Sequence, residues 1–233
     1  MGEKINLYET PYHWNIPYFY NYKYERPLRI LEEDGLLGKD KIVLDVGCGD
    51  GRMSFLLSSK VKQVFGIDNQ EAPVAMGKLL VAGAKNVELR VGDARKIDFP
   101  DGTFDLVVSF DVVEHLPEET MEKMLAEMKR VCKKGGCVAI STPNRGNIRS
   151  RIWGHRANPK HYKEYTVDEM AGSIEKTGLK IEKKYGTYLP IPIPGVEHYA
   201  NVIPFKSLFK MLVDAAKNHP RLSETMFMVA RKT

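Results

Sequence analysis

The sequence predicts an α/β fold: a doubly wound, mostly parallel sheet of seven strands with helices on both faces. Two observations predict it. Short apolar runs rich in β-branched residues alternate along the chain with segments of helical periodicity, as in proteins built from β-α-β units. The first of these runs, at residues 41–46, leads directly into a turn with three glycines. A chain of 233 residues is long enough for one domain with one sizeable core.

The first half of the chain supplies four of the predicted strands. They are expected at residues 41–46, 61–68, 86–93 and 104–110, where short apolar runs end at or beside glycine or aspartate. Helices are expected at residues 52–60 and 71–84, because apolar side chains recur there at helical spacing. Strands that alternate with helices in this way run parallel, so the predicted sheet is Rossmann-like.

The clearest helix follows the fourth strand. Five apolar side chains fall on one of its faces: Met121, Met124, Leu125, Met128 and Val131. The lysines and glycines of residues 133–136 are expected to end this helix, and a fifth strand is expected at residues 137–142. A capping box from Thr166 to Glu169 predicts a further helix that Gly178 ends. Two late strands are expected at residues 180–189 and 225–232.

Residues 1–233 are expected to form a single domain with two embellishments. Residues 1–30 are rich in tyrosine and proline, and we expect them to form an aromatic N-terminal lid or cap. Residues 186–223 are an insertion between the last two strands, with a proline-rich segment followed by an apolar helix. Loops on a rigid scaffold often select the substrate. The alternative is that both embellishments only cover one side of the sheet and do not contact the substrate.

Composition excludes several classes of protein. The net charge of +5 permits an anionic partner but gives no strong signal for nucleic-acid binding. Three cysteines form neither a CxxC pair nor a metal-ligand spacing with histidine, so no metal site is expected. Sparse cysteines, the lack of a signal-peptide pattern and the lack of an apolar run of about 18 residues predict a cytoplasmic protein.

The turn in "VLDVGCGDGR" carries both glycines and carboxylates. Gly47 and Gly49 allow the backbone to turn tightly and to approach a ligand. A dinucleotide pattern would need a third glycine where Arg52 stands. The carboxylates of Asp45 and Asp50 would also repel a pyrophosphate. A ligand with positive charge and no phosphate, such as S-adenosylmethionine, suits this turn better.

Two further carboxylates follow predicted strands. Asp68 closes the second strand, where an acidic side chain can accept hydrogen bonds from ribose hydroxyls. Asp93 closes the third strand, where it can accept a hydrogen bond from an adenine amino group. A nicotinamide enzyme would also use Asp68. The combination of the turn with both carboxylates therefore favours S-adenosylmethionine more than any one feature does.

Several stretches resemble class I S-adenosylmethionine-dependent methyltransferases, in particular the type 11 subgroup that includes the ubiquinone-biosynthesis O-methyltransferases. They are "VLDVGCGDG", "VFGID", "VGDA", "FDLVVSFDVVEHLP", "LAEMKRVCKKGG" and "ISTPNR", and they cover roughly residues 25–185. The resemblance implies S-adenosylmethionine as cofactor, and "RPLRIL" implies that Arg29 helps to hold its methionine carboxylate. The implied cofactor-binding residues are Arg29, Asp45, Gly47, Cys48, Gly49, Asp68, Asn69, Asp93, Ala94 and Phe110, the last near the sulfonium.

The resemblance implies methyl transfer to a small-molecule or lipid-like acceptor. Residues 144–163 hold six arginines and lysines and no acid. They form either a solvated surface or a patch for a carboxylate, a phosphate or a lipid headgroup. An RNA methyltransferase that uses this stretch is the alternative, although no RNA-binding pattern is present. The apolar helix of residues 186–223 is expected to contact a membrane-borne acceptor, or else to pack on the sheet or on a second subunit.

The sequence does not identify a catalytic residue, because in-line methyl transfer depends mainly on alignment and the exclusion of water. His115 follows the fourth strand and His161 follows the fifth. Both are candidate bases for an acceptor with a proton of high pKa. A capping or packing role is the alternative for each.

Overall fold

The computed structural model describes residues 18–190 and 203–233, and the side chains of residues 25–190 and 210–233. The helices are α1 (Tyr18–Glu33), α2 (Arg52–Ser58), α3 (Glu71–Leu80), α4 (Glu118–Val131), α5 (Ile148–Trp153), α6 (Val167–Lys176) and α7 (Ile203–Ala216). The strands are β1 (Ile42–Val46), β2 (Gln63–Asp68), β3 (Val87–Val91), β4 (Phe104–Phe110), β5 (Cys132–Pro143), β6 (Lys180–Gly186) and β7 (Thr225–Arg231).

The described strands form one mixed sheet in the order β3-β2-β1-β4-β5-β7-β6. Strands β1 to β5 pair in parallel, whereas β7 runs antiparallel to both β5 and β6. The predicted seven-stranded, mostly parallel sheet is therefore confirmed. The strand order reverses between β1 and β4, and ligands bind such sheets at the carboxyl ends of the strands beside this point.

Helices cover both faces of the sheet. On one face α4 and α6 bury their apolar stripes, so that Met121, Met128 and Met170 are fully buried against the sheet. On the other face α1 and α2 supply Ile30 and Leu57 to a second apolar cluster. A fully buried side chain of this size contributes about 1.5–3 kcal/mol through the hydrophobic effect. These two clusters make the sheet a rigid support for the loops at its edges.

Two details differ from the sequence-based expectations, and one agrees. The lysines and glycines of residues 133–136 do not end α4. Instead α4 stops at Val131, and residues 133–136 form the irregular first part of β5, where the register between β4 and β5 shifts. The helices α1 and α5 were not predicted. The predicted capping box is present, since the Thr166 side chain accepts a hydrogen bond from the Glu169 backbone and the Glu169 side chain accepts one in return.

The two embellishments are described only in part. Of the predicted lid, α1 begins at Tyr18, and residues 1–17 lie outside the described residues. Of the insertion, residues 191–202 lie outside, and the predicted apolar helix is α7. Where both are described, they are joined by an ion pair from Arg26 to Asp214, and a second ion pair joins Lys217 of the insertion to Glu33 at the end of α1. Within the described ranges, no helix combines the length and the apolar character that crossing a bilayer requires.

Candidate functional site

The glycine turn lies at the carboxyl end of β1. Gly47, Gly49 and Gly51 all have positive φ angles, of 77°, 52° and 75°, which side chains other than glycine rarely adopt. A Cβ atom at Gly47 would lie 2.4 Å from Cγ2 of Val112, so this position also has no room for a side chain. A Cβ atom at Gly49 would have no neighbour within 4 Å. The turn therefore packs against Val112 at Gly47, whereas at Gly49 it leaves room for a ligand.

The end of β2 holds this turn in place. The backbone N–H groups of Gly47 and Cys48 donate to the carbonyl oxygen of Ile67 at 2.8 and 3.0 Å. The carboxylate of Asp68 accepts from the backbone N–H of Gly49 at 3.0 Å and, through its other oxygen, from that of Gln70 at 2.9 Å. Each carboxylate oxygen can accept two hydrogen bonds. Asp68, which is half-buried, therefore retains acceptor capacity for a ligand.

Asp45 lies inside the protein behind the turn. Its side chain is 1 % exposed and accepts a hydrogen bond of 2.7 Å from the hydroxyl of Ser54 on α2. Burial raises the pKa of Asp45 to about 7, and the nearby charge of Asp68 adds to this rise, while the Ser54 hydrogen bond opposes it. The carboxyl group of Asp45 thus joins β1 to α2. Because it is partly neutral near pH 7, Asp45 repels a phosphate less than we expected from the sequence.

Cys48 and Asn69 differ in what they present at this edge. The side chain of Cys48 is buried in a small apolar cluster with Val74 and Leu89, and burial raises the pKa of its thiol well above the ordinary value. Only its backbone is therefore suited to line the turn. Asn69 is exposed immediately after β2, beside Asp68.

Asp93 follows β3, next to β2 in the sheet. Both of its carboxylate oxygens accept hydrogen bonds from the side chain of Arg95, at 2.7–3.0 Å, and one accepts from the Arg95 backbone. These bonds lower the pKa of Asp93. A ligand amino group would share this carboxylate with Arg95. Ala94 is half-buried and packs against the larger core.

Phe110 and Ile30, the neighbour of Arg29, contribute to the same apolar cluster. Phe110 ends β4, and its ring stacks on that of Phe227 with centroids 6.0 Å apart. Both rings belong to the cluster that also holds Ile30 of α1. Arg29 is the exposed neighbour of Ile30. Three residues earlier, Arg26 is 5 % exposed, and its Nε has no hydrogen-bond partner among the described residues.

Asp111, which the sequence reasoning did not select, stands at the carboxyl end of β4. It has a φ angle of 52°, the one positive value outside glycine among the described residues. Its carboxylate accepts a hydrogen bond of 3.0 Å from the hydroxyl of Ser141 on β5. Such backbone strain is often stored at functional sites. The rule that selected Asp68 and Asp93, an acid at a strand end, would also have found Asp111.

A cluster of titratable side chains follows Asp111. Glu114 is 1 % exposed and accepts a hydrogen bond of 2.9 Å from the hydroxyl of Thr142. The rings of His115 and His161 meet edge to face at 4.8 Å between centroids. One potential ligand atom from each of Glu114, His115 and His161 lies within 4.8 Å of the others. Their chemistry is compatible with a divalent metal ion, which the sequence did not predict.

The two histidines differ in their hydrogen bonds. Nδ1 of His115 lies 3.1 Å from the carbonyl oxygen of Lys160. A carbonyl only accepts, so this nitrogen carries the proton and Nε2 keeps its lone pair. Burial lowers the pKa of His115. In His161 Nδ1 bonds to Glu164 at 2.7 Å and Nε2 to Asn158 at 3.1 Å. Among the described residues, hydrogen bonds therefore engage both ring nitrogens of His161 but only one of His115.

The basic stretch of residues 144–163 divides into two parts. Arg145 donates two hydrogen bonds, of 2.7 and 2.9 Å, to the carboxylate of Glu169 at the start of α6. Lys163 is paired with Glu118 at 3.1 Å. In contrast, Arg156 and Lys160 are exposed and are in no ion pair among the described residues. The two ends of the stretch are thus neutralised locally, while its centre is not.

A family model described as a methyltransferase domain matches residues 43–136, which run from β1 into β5. A ubiquinone-biosynthesis O-methyltransferase of Acinetobacter baumannii is 32% identical over 172 residues, which are 67% of this chain and 70% of that protein. A phosphatidylethanolamine N-methyltransferase of Cereibacter sphaeroides is 46% identical over 101 residues, 42% of this chain and 48% of that protein.

A probable S-adenosylmethionine-dependent methyltransferase of Mycolicibacterium smegmatis is 33% identical over 151 residues, 65% of this chain and 56% of that protein. The matched part therefore spans about half the length of this relative. A solved S-adenosylmethionine-dependent methyltransferase of Aquifex aeolicus superposes with a TM-score of 0.64 at 22% identity, over 95% of this chain and 96% of that one. That likeness concerns the fold. The identity and coverage shared with the Acinetobacter enzyme show that this chain belongs to the family of S-adenosylmethionine-dependent methyltransferases.

Proposed function

We propose that this chain transfers a methyl group from S-adenosylmethionine to a small-molecule or lipid-like acceptor. The single observation that carries the proposal is the glycine turn after β1, which Asp68 holds through the backbone N–H of Gly49. The turn follows β1, which is one of the two strands between which the strand order of the sheet reverses, and such sheets bind nucleotides and nucleosides beside this point.

The residues at this edge fit S-adenosylmethionine. The turn is open at Gly49, where nothing lies within 4 Å of the position that a Cβ atom would take. Asp68 beside it offers carboxylate oxygens to ribose hydroxyls. A carboxylate also suits a cofactor that carries a sulfonium and an ammonium group and no phosphate chain. Position 52, where a dinucleotide pattern has a third glycine, is Arg52 at the start of α2.

We infer a role for each of the other candidate residues. Gly47, Cys48 and Gly49 would line the cofactor with their backbone, and Asn69 would extend the ribose contact from Asp68. Asp93 and Ala94 would border the adenine ring. Phe110 would border the sulfonium, and Arg29 would hold the methionine carboxylate. Asp45 would act indirectly, since its side chain is buried against Ser54 and fixes β1 to α2 behind the turn.

When bound, S-adenosylmethionine supplies a methyl group that is already activated by the sulfonium. The task of the chain is then to align the acceptor and to exclude water. Phe110 and Phe227 provide an apolar wall at the end of β4. His115 offers an unprotonated Nε2, because its Nδ1 donates to the Lys160 carbonyl. This arrangement can accept a proton from an acceptor hydroxyl or ammonium group.

We propose that residues 1–30 and 186–223 select the acceptor. The ion pair between Arg26 of α1 and Asp214 of α7 supports this assignment, since it joins the described parts of both embellishments. The names of two relatives, a phosphatidylethanolamine and a ubiquinone-biosynthesis methyltransferase, favour a lipid-like acceptor. An anionic group on the acceptor would bind the buried guanidinium of Arg26, which lies between α1 and α7.

Calorimetric titration with S-adenosylhomocysteine tests the proposal, with NADH as the control ligand. We expect micromolar binding of S-adenosylhomocysteine and no binding of NADH. Binding of NADH, or of neither ligand, would contradict the proposed cofactor site. The control variant Asp98→Ala alters an exposed aspartate outside the glycine turn and should bind S-adenosylhomocysteine as the natural chain does.

An RNA acceptor is the weaker alternative. The basic stretch that would hold RNA has Arg145 and Lys163 already paired with Glu169 and Glu118. Binding through phosphate contacts falls steeply as the salt concentration rises. Acceptor binding with such a salt dependence, together with methylation of an RNA oligonucleotide, would favour the RNA reading over a small or lipid-like acceptor.

A further inference from the structure

One exposed segment stands out beside the proposed site. We call it the α5 surface: α5 and the loop that follows it, residues 148–163. Every residue from Arg151 to Lys160 is exposed, and α5 buries none of its side chains. A helix that contributes nothing to the core needs another reason for its composition, because most helical stability in proteins comes from packing an apolar face.

The α5 surface exposes large apolar side chains. Ile152 is 53 % exposed, Trp153 61 % and Tyr162 73 %. These are three of the seven large hydrophobic side chains that are exposed among the described residues, and they fall within eleven positions of the chain. Single exposed apolar residues are ordinary, but a cluster of them marks an interaction site.

The same surface is positively charged. Residues 144–163 contain no acid. Among the described residues, Arg156 and Lys160 have no ionic partner, and the exposed Arg151 donates only to the carbonyl oxygens of Gly146 and Arg221. A carbonyl carries no net charge, so the positive charge of Arg151 is not neutralised.

The carboxylate that comes next along the chain does not cancel this charge at the surface. Glu164 directly follows the segment, but its side chain is only 10 % exposed. It is enclosed by His155 at 3.4 Å and by His161 at 2.7 Å. It also accepts a hydrogen bond of 3.1 Å from the backbone of Asn158. Glu164 thus folds the loop back on itself, and the cationic groups remain on the outside.

We propose that the α5 surface docks the protein on an anionic lipid bilayer. Tryptophan and tyrosine have an apolar ring and a polar group, which suits the boundary between headgroups and acyl chains. Lysine and arginine bury their methylene stems there while their charges meet lipid phosphates. The combination of Trp153, Ile152 and Tyr162 with Arg156 and Lys160 matches both requirements of a peripheral membrane surface.

Docking in this way would bring the proposed active site to the bilayer. The α5 surface adjoins the carboxyl edge of the sheet, since the Lys160 carbonyl accepts the hydrogen bond from Nδ1 of His115. The backbone N–H of Tyr162 also donates to the carbonyl oxygen of Glu114 at 2.8 Å. An acceptor that remains in the membrane would therefore reach the end of β4 without leaving the lipid. This consequence rests on the proposed function, whereas the docking itself does not.

Co-sedimentation with vesicles tests the docking and involves no methyl transfer. The full chain is mixed with vesicles of phosphatidylcholine alone, or of phosphatidylcholine with about one third phosphatidylglycerol. We expect binding to the anionic vesicles only, and weaker binding as salt is added. Equal binding to both vesicle types, or to neither, would overturn the proposal. Retention by RNA with no binding to vesicles would overturn it in favour of a nucleic-acid surface.

Two double variants locate the surface. Ile152→Ser/Trp153→Ala and Arg156→Gln/Lys160→Gln should each weaken vesicle binding by more than about tenfold. The matched controls are Leu79→Ser, at an exposed leucine of α3, and Lys62→Gln/Lys85→Gln, at exposed lysines elsewhere. Equal losses in the controls and the test variants would overturn the assignment to α5. All altered side chains are exposed, so the fold should be retained, which circular dichroism verifies.

Tryptophan fluorescence gives a second readout. The chain has two tryptophans, Trp14 and Trp153, so a Trp14→Phe variant reports on Trp153 alone. We expect its emission to shift to shorter wavelength when anionic vesicles are added. An unchanged spectrum on vesicles that bind the protein would mean that another surface makes the contact. Titration with S-adenosylhomocysteine, performed separately, tells failure of docking apart from failure of the proposed cofactor site.

Discussion

The carboxylate of Asp68, at the end of β2, accepts a hydrogen bond of 3.0 Å from the backbone N–H of Gly49 in the turn after β1. One side chain therefore does two things at this edge of the sheet. It fixes the open part of the glycine turn, and it keeps oxygen lone pairs directed to the same region. Removing it should affect both the ligand and the turn.

We expect Asp68→Ala to weaken binding of S-adenosylhomocysteine by about 1–3 kcal/mol, the usual cost of leaving buried polar groups unpaired. Asp68→Asn keeps one carbonyl oxygen for Gly49 and should lose less. Calorimetric titration measures both variants against Asp98→Ala, the exposed control. Affinity equal to that of the natural chain in Asp68→Ala would place the cofactor elsewhere.

Gly47→Ala should be destabilising for two reasons that can be separated. The φ angle of 77° costs a non-glycine residue about 1–2 kcal/mol, and the new Cβ would overlap Val112 at 2.4 Å. Gly35 has a φ angle of 67° with no atom near its Cβ position, so Gly35→Ala measures the backbone cost alone. Urea denaturation should show a larger loss for Gly47→Ala, partly recovered when Val112→Ala is added. Equal losses at the two glycines would exclude the steric contribution.

Asp45 should make folding stability depend on pH. Its pKa is about 7 in the folded protein and 3.8 as the ordinary value. Between about pH 4 and pH 7 the folded state therefore binds a proton that the unfolded chain has released, so the natural protein loses stability as the pH rises through this window. The variant Asp45→Asn keeps an oxygen that can accept the hydrogen bond from Ser54, but its side chain does not titrate.

The free energy of unfolding of Asp45→Asn, relative to the natural chain, should therefore increase by about 2–4 kcal/mol from pH 4 to pH 7. Denaturant titrations at several pH values measure this difference. Asp98→Asn, at an exposed site, should show no such trend. A difference that stays constant with pH would mean that Asp45 is ionised throughout the window.

Tyr185→Phe should loosen the attachment of α1 to the sheet. The hydroxyl of Tyr185 on β6 lies 2.9 Å from both carboxylate oxygens of Asp34, which follows α1. Asp34 is 8 % exposed, so loss of this hydrogen bond to a buried charge should cost about 1–2 kcal/mol. Thermal or urea denaturation tests this against Tyr162→Phe, whose side chain is 73 % exposed. A loss of stability no larger than that of the control would mean that the Tyr185 hydroxyl does not help to hold α1 on the sheet.

Local sequence patterns predicted most of the elements correctly. The capping box at Thr166 and the glycine turn at Gly47 each depend on residues only a few positions apart, so the pattern contains all the partners. The apolar stripe of α4 is likewise a matter of helical spacing, and its five residues are buried. α1 was missed because it contains Pro27, and α5 because it has no buried face.

The candidate site was predicted in part. Asp68 meets the glycine turn as the α/β pattern implied, since adjacent parallel strands end at the same edge. The ionic contacts of Asp93 and Arg145 were not foreseen. Arg145 is bound to Glu169, 24 residues away, and the basic stretch is therefore less uniformly available than its composition suggested. The meeting of His115 with His161 was also missed, because 46 residues separate them.

The sequence by itself determined that strands and helices alternate, where the glycine turn lies and which acids end the strands, because each of these follows from neighbouring residues. Only the tertiary structure decided that β7 enters antiparallel between β5 and β6, that Asp45 is buried with a raised pKa, and that the surface around Trp153 remains exposed. Burial and long-range pairing depend on which distant segments pack together. The side chains that meet in this way then set the dielectric environment and charge of the site.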